Sequence, residues 1–492
     1  MKSVIILFSF FIWVQGFAQY RGTTDSLAVA EFLKVYNTGK FDSIKAYMVK
    51  KHKAEDSVQI LNRSGYVYDL YREYGPLCLK KSFDDKWWFW APVLKNWLGF
   101  KLAFIDDSNE VIDWLAIDRG TIPLEYPLST PLNETDIAKH LHNYFENIDN
   151  YHLFSGVVVI AHKGNILFEV ALGESNKRYH VLNTIDTKFD IASVNKSFIG
   201  VAILQLIEKG KLSLDDKLEE LIPEYPNKIA KQVNLRNLLN HTSGIEIDDY
   251  PPFNEAVKKA SSGMELLQAQ IDYITHLNNG YKDFSVSDSF DYSSEGFDLL
   301  GIIIEKVTGM RWEDYLRESI FVPSGIINAG FDYRTSPINL AVGYTSRTSL
   351  PGDSKHESTW LKPFYARPSG AMYMTGSDLV KFGNKLSEGY LIDEKRFMEI
   401  YNDSALIIDS PEYKYNYSMG FEINKTAGHL VIGHSGGSAG TSARFDIYPK
   451  EDYVVVVLSN MENSAHRVAD HIYQLITGVG INSELLNSSN CN

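Results

Sequence analysis

Asp190-Ile-Ala-Ser193-Val-Asn-Lys196-Ser-Phe-Ile-Gly-Val-Ala-Ile-Leu-Gln-Leu-Ile207 reads as a sharp turn into a helix that is apolar on nearly every side. Such a helix belongs inside a domain, not on its surface. Its two misfits, Ser193 and Lys196, stand at the start, three residues apart and therefore on one face. Free N–H groups and the dipole at a helix start favour developing negative charge there. A serine beside an amine in such a niche is what a nucleophilic serine needs. On the tetrapeptide alone, a surface serine and a snorkelling lysine fit equally well.

The flanking chain supplies a domain for this helix, from about Glu134 to residue 480. It opens with a helix over Ile137 to Phe145 and two strands, Gly156-Val-Val-Val-Ile-Ala161 and Ile166-Leu-Phe-Glu-Val-Ala171, turned by Lys163-Gly-Asn165. It closes with Ser442-Ala-Arg-Phe-Asp-Ile-Tyr448, Tyr453-Val-Val-Val-Val-Leu458 and a helix from Ala465 to Thr477. Early and late strands are expected to share one antiparallel sheet, with a mostly helical and irregular region inserted between them. The start of the Ser193 helix then falls at the seam of sheet and helices, where clefts form.

Three further signals follow Ser193-x-x-Lys196 in order: Leu238-Leu-Asn-His241-Thr-Ser-Gly244, then Phe290-Asp-Tyr292-Ser-Ser294-Glu-Gly-Phe before an apolar helix, then Gly433-His434-Ser435-Gly436-Gly437. With these the chain resembles the serine β-lactamase and penicillin-binding-protein superfamily, in its class C β-lactamase-related branch of esterases, D-aminopeptidases and D,D-peptidases. The resemblance covers roughly Ser155 to Gly478 and implies an α+β fold, a β-lactamase-like antiparallel sheet with flanking helices plus a helical region. It implies that Ser193 is the nucleophile, that Lys196 deprotonates or orients it, and that Tyr292 shuttles protons to and from it. It also implies that Gly437 N–H joins the N–H of Ser193 as oxyanion hole, on an edge strand facing Ser193. His434, Ser435, Gly436 and Ser294 then line the substrate. Tyr225-Pro-Asn227 also fits Tyr-x-Asn, but it precedes the His-Thr-Ser-Gly signal and has no helix after it.

Two departures from the superfamily pattern bear on substrate. His434 stands where Lys-Thr-Gly has lysine, a weaker and pH-dependent anchor for a substrate carboxylate. Ser294 replaces a common asparagine and removes an amide donor. The reading is therefore an exported serine hydrolase acting through an acyl-serine on an ester or a D-amino-acid peptide or amide. A β-lactamase or D,D-carboxypeptidase, and a non-catalytic sensor or scaffold, remain open. His241 is expected to make a structural hydrogen bond within its turn.

Upstream, Met1-Lys2, an apolar run from Val4 to Val14 and Gly16-Phe-Ala18 read as a secretory signal cleaved near Ala18. No cysteine lies there to carry a lipid, so no stable membrane anchor is expected, and the mature protein belongs in the periplasm or outside the cell. Residues 19–119 read as helices first (Ser26 to Tyr36, roughly Ala54 to Tyr74), then strands, with a hairpin joining Gly99–Ile105 to Val111–Ile117. This small α+β domain is similar to the nuclear-transport-factor-2-like fold, and its Trp87-Trp-Phe-Trp90 cluster reads as core. Pro123, Pro127 and Pro131 mark residues 120–133 as a semi-rigid linker, and 481–492 as a tail.

A length of 492 residues calls for at least two domains. The net charge of −14 argues against a nucleic-acid partner and leaves a small molecule or peptide as the substrate. Two cysteines, Cys78 and Cys491, make neither a disulfide framework nor a thiolate metal site. No His-Glu-x-x-His or comparable ligand set occurs, so neither metal nor cofactor is expected. Nothing in the pattern specifies an oligomeric state.

Overall fold

The computed structural model describes residues 26–51, four positions between 64 and 71, four strands between 78 and 118, and residues 131–479. Within the last span it omits positions inside 246–249, 277–288, 346–355, 359–362, 394–403 and 410–412, and residues 151 and 336. The expected leader, most of the linker, the tail and Cys491 lie outside the described residues. The chain forms two compact units, and residues 154–345 with 357–469 make up the second.

In the first unit, helices Ser26–Tyr36 and Phe41–Lys51 precede an antiparallel sheet ordered Cys78–Phe83, Lys86–Ala91, Asn96–Phe104, Ile112–Asp118. Phe32, Tyr36, Ile44 and Met48 are buried on the two helices. The expected hairpin is present, with Leu102 opposite Leu115. Helix Glu134–Asn150 buries Ile137, Leu141, Tyr144, Phe145 and Ile148, one amphipathic stripe.

The second unit is built on eight antiparallel strands in the order Ala405–Asp409, Tyr413–Ser418, Phe421–Thr426, His429–Ser438, Thr441–Tyr448, Tyr453–Ser459, Gly156–His162, Asn165–Leu172. Early and late strands do pair: Val159 lies opposite Val456, and Val158 opposite Val457. Their unbroken apolar runs reflect burial on both faces. Against the sheet lies helix Asn195–Glu208, with every residue from Asn195 to Leu206 buried. Phe198 stacks on Phe382 at 3.9 Å, and Phe382 contacts Phe445 of the sheet at 5.6 Å. Gly200 is required here, since a Cβ would lie 1.9 Å from the Met419 carbonyl oxygen.

Two expectations need correction. The middle of the chain is not only helical and irregular, because strands Ala405–Asp409, Tyr413–Ser418 and Phe421–Thr426 extend the sheet. Tyr413-Lys-Tyr-Asn-Tyr-Ser418 alternates aromatic with polar residues and so lacks the apolar run by which the other strands are read. The strand carrying His434 is also not at the edge of the sheet; it is the fourth of eight. Its pairing with Phe421–Thr426 stops at Gly433, however, so His434 to Ser438 pair only with Thr441–Phe445. Only that half of the strand has an open side. Among the described residues no helix is long and apolar enough to cross a membrane.

Candidate active site

Ser193 sits in a single 3-10 turn, Ala192–Val194, that runs directly into the buried helix. The turn is tight enough to force Ala192 to φ 47°, a conformation that costs a residue with a Cβ. Asp190 holds it there by accepting the Ala192 N–H at 2.7 Å. The His434 strand packs directly beneath, because a Cβ on Gly436 would stand 2.3 Å from the Ile191 carbonyl oxygen. Gly437, the next residue, pairs with Ser442.

Lys196 is fully buried, one turn above the serine. Its Nζ reaches Ser193 Oγ at 3.4 Å and donates to the Ser369 carbonyl at 2.6 Å. It lies 4.8 Å from the Tyr292 ring centroid and 5.6 Å from that of Phe297. Burial lowers its ammonium to about 7; the Asp298 carboxylate opposes that shift and the Arg367 guanidinium adds to it. Tyr292 hydrogen-bonds Ser193, and burial nevertheless holds its phenol well above the usual value. At neutral pH the serine hydroxyl therefore touches a half-neutralised amine and an intact phenol.

His241 forms its hydrogen bond across the fold, not within its turn. Its Nδ1 accepts the Ser293 N–H at 2.9 Å and its carbonyl accepts that of Asp291 at 2.7 Å. The ring packs among Tyr292, Phe297 and Tyr417, at 4.3, 4.9 and 4.4 Å. Burial drives its imidazole pKa well down, so it is neutral and the proton sits on Nε2. The preceding Asn240 accepts the Met419 N–H at 3.0 Å and ties this segment to the sheet.

The third motif divides by strand alternation. His434 points to the helix side and is buried; its Nδ1 donates to the Ser435 carbonyl at 2.6 Å and its Nε2 accepts from the Tyr417 hydroxyl at 2.9 Å. Burial, opposed by Glu422, pushes its imidazole down to about 4. Neutral and engaged at both nitrogens, it presents no charge to a substrate carboxylate. Ser435 points to the opposite face, where its hydroxyl and, at 3.0 Å, its N–H both bond Glu422. Despite burial, Arg444, His434 and those two bonds hold the Glu422 carboxyl at about 2. Ser294 opens helix Ser294–Thr308, one residue after Ser293, which caps it by accepting the Gly296 N–H at 2.9 Å. Tyr225 is remote in role, bonded to Gln270 at 3.2 Å in the core.

Ser193, Lys196 and Tyr292 thus meet at one point, with Gly436 and Gly437 on the strand beneath, whereas the polar atoms of His434 and Ser435 are occupied elsewhere. Sequence reasoning missed Tyr417, Glu422, Asp298, Arg367 and Ser369. None lies in a recognisable motif, and only Arg367-Pro-Ser-Gly370 carries a turn signal.

The family model described as Beta-lactamase matches residues 139–478. Penicillin-binding protein 4* of Bacillus subtilis (strain 168) is 29% identical over 355 residues, 68% of this chain and 75% of that relative. The crystal structure of a penicillin binding protein from Bacillus halodurans superposes with a TM-score of 0.57 at 23% identity, over 70% of this chain and 100% of that one. That of D-amino acid amidase from Ochrobactrum anthropi SV3 superposes with a TM-score of 0.56 at 22% identity, over 70% and 98%.

Proposed function

The chain belongs to the β-lactamase family, and from that premise we propose that it is an exported serine hydrolase that forms an acyl-serine at Ser193 from an ester or a D-amino-acid peptide or amide. The observation that carries this reading is the convergence on one serine hydroxyl of a lysine amine lowered to about 7 and an un-ionised tyrosine.

As Ser193 Oγ attacks the acyl carbon, its proton passes to the neutral Lys196 amine. The carbonyl oxygen gathers negative charge against the N–H groups of Ser193 and Gly437; losing one such donor costs roughly 10²–10³ in rate. The phenol of Tyr292 gives its proton to the leaving oxygen or nitrogen, and Lys196 ammonium restores that proton. Water then attacks the acyl-serine, with the same groups taking its proton and returning one to Ser193 Oγ. Apo distances such as 3.4 Å from Nζ to Oγ are ordinary before substrate closes the site.

The neutral His434 is what favours an ester or an amide over a penicillin, whose carboxylate calls for a fixed positive charge at this place. D-amino acid amidase, which shares the fold, is named for an amide substrate. A β-lactamase or D,D-carboxypeptidase reading is favoured by the penicillin-binding protein among the relatives. Turnover of a p-nitrophenyl ester, a D-amino-acid amide, a chromogenic cephalosporin and a D-Ala-D-Ala peptide by wild type and Ser193→Ala separates these. Hydrolysis of the ester or amide, abolished in folded Ser193→Ala, is expected; full turnover by that variant refutes the proposal.

A further inference from the structure

We infer that Asp298 and Arg367 form a paired-charge positioning device that fixes where Lys196 holds its amine and how readily that amine accepts the proton of Ser193. The inference rests on the reading of Lys196 as proton acceptor.

The device acts through Ser369. Lys196 Nζ donates to the Ser369 carbonyl at 2.6 Å, and the Ser369 N–H donates to Asp298 Oδ1 at 3.2 Å. Arg367, two residues earlier, grips the other oxygen of the same carboxylate through Nε at 3.0 Å and through Nη2. The segment between is clamped. Asn195 Nδ2, adjacent to Lys196, donates to the carbonyls of Arg367 and Pro368 at 2.7 and 3.0 Å. Arg367 and Gly370 exchange backbone hydrogen bonds at 2.8 and 2.9 Å. On the other side, a Cβ at Gly301 would stand 2.2 Å from Pro368 Cγ, so helix Ser294–Thr308 lies hard against the segment. A buried carboxylate and a guanidinium have thus been brought, at a cost in desolvation, to the one carbonyl that holds the lysine.

The groups facing Lys196 come from every neighbouring element. Helix Ser294–Thr308 contributes Asp298 and Glu295, the latter 3.8 Å from Arg367 and pushed up by burial. Tyr292, His241 and His434 complete the set; burial keeps the phenol protonated and both imidazoles neutral. Asp298 and Arg367 act on the lysine in opposite senses, and the carboxylate has the stronger effect. Removing one charge and not the other must therefore shift the lysine in a direction set by which charge is left.

The test is the pH dependence of Ser193 acylation by a fluorophosphonate, measured on the full chain. Asp298→Asn keeps an oxygen for the Ser369 N–H but leaves Arg367 unopposed, so its acid limb moves to lower pH by on the order of one unit. Arg367→Gln leaves Asp298 unopposed, so its limb moves up by a similar amount. The double variant returns to the wild-type limb, which a merely structural pair has no reason to do. Limbs that stay put, or move the same way in both single variants, overturn the inference and leave the hydrolase reading intact, since the serine is still labelled. A wild type that is never labelled overturns both. Thermal melts report folding, and if one single variant does not fold, the sign of the other's shift decides alone.

Discussion

His241 brackets Tyr292: it accepts the N–H of the residue before it at 2.7 Å and of the residue after it at 2.9 Å, while its ring lies 4.3 Å from the tyrosine ring. The imidazole touches neither Ser193 nor Lys196 through a hydrogen bond; it sets the backbone that aims the phenol. His241→Ala is expected to lower kcat by about 10²-fold through misplacement of Tyr292, with KM little changed. His241→Asn, whose amide oxygen takes the place of Nδ1, recovers part of the loss. Steady-state kinetics of the three proteins check this.

Lys196 gives the enzyme its acid limb. With an amine at about 7, kcat/KM is half-maximal near that pH and falls about tenfold per unit below it. Neither histidine supplies such a limb, because His434 is down at about 4 and His241 is also driven low. A limb near pH 5 would contradict the assignment.

The same lysine burdens the fold. Its folded value, about 7, lies below the unfolded 10.5, so between those pH values the unfolded chain binds more protons and stability rises with pH. Lys196→Met is expected to abolish activity, raise the melting temperature at pH 7 and flatten that rise. Melts across pH 7 to 10 measure it.

Tyr292 is needed in proportion to how badly the leaving group needs a proton. Tyr292→Phe keeps the rings packed on His241 and is expected to cost about 10²–10⁴ in kcat on an amide. The loss on a p-nitrophenyl ester, whose leaving group departs as an anion, should be far smaller. Equal losses on both would remove Tyr292 from proton transfer to the leaving group.

Gly436→Ala forces the strand away from the turn that carries Ser193, since its Cβ would sit 2.3 Å from the Ile191 oxygen. Overpacking of this kind costs about 1–3 kcal/mol, measurable by urea unfolding, and acylation should slow with it.

Much of this site was legible in the chain because its reacting groups are local in sequence. Ser193 and Lys196 share one helical turn, and Tyr292 and Gly437 sit in short motifs whose order is distinctive. What surrounds them was not legible, because it depends on contacts across the fold. Lys196 and Ser369 are 173 residues apart, and Ser293 and His241 are 52 apart. The pairing that leaves half of the His434 strand open is set by the register of Phe421–Thr426, whose sequence shows no strand signal as strong as Val157–Ile160. His434 was read as a substrate anchor because its motif position is exposed to substrate in lysine-bearing relatives. The hydroxyl of Tyr417, seventeen residues upstream, engages it instead.

The central claim is that Ser193 is the acylated nucleophile. Peptide mass spectrometry after fluorophosphonate treatment tests it most directly. A single adduct on the peptide bearing Ser193, absent from folded Ser193→Ala, is the expected result. An unlabelled wild type, or an adduct on any other serine that persists in Ser193→Ala, would contradict it.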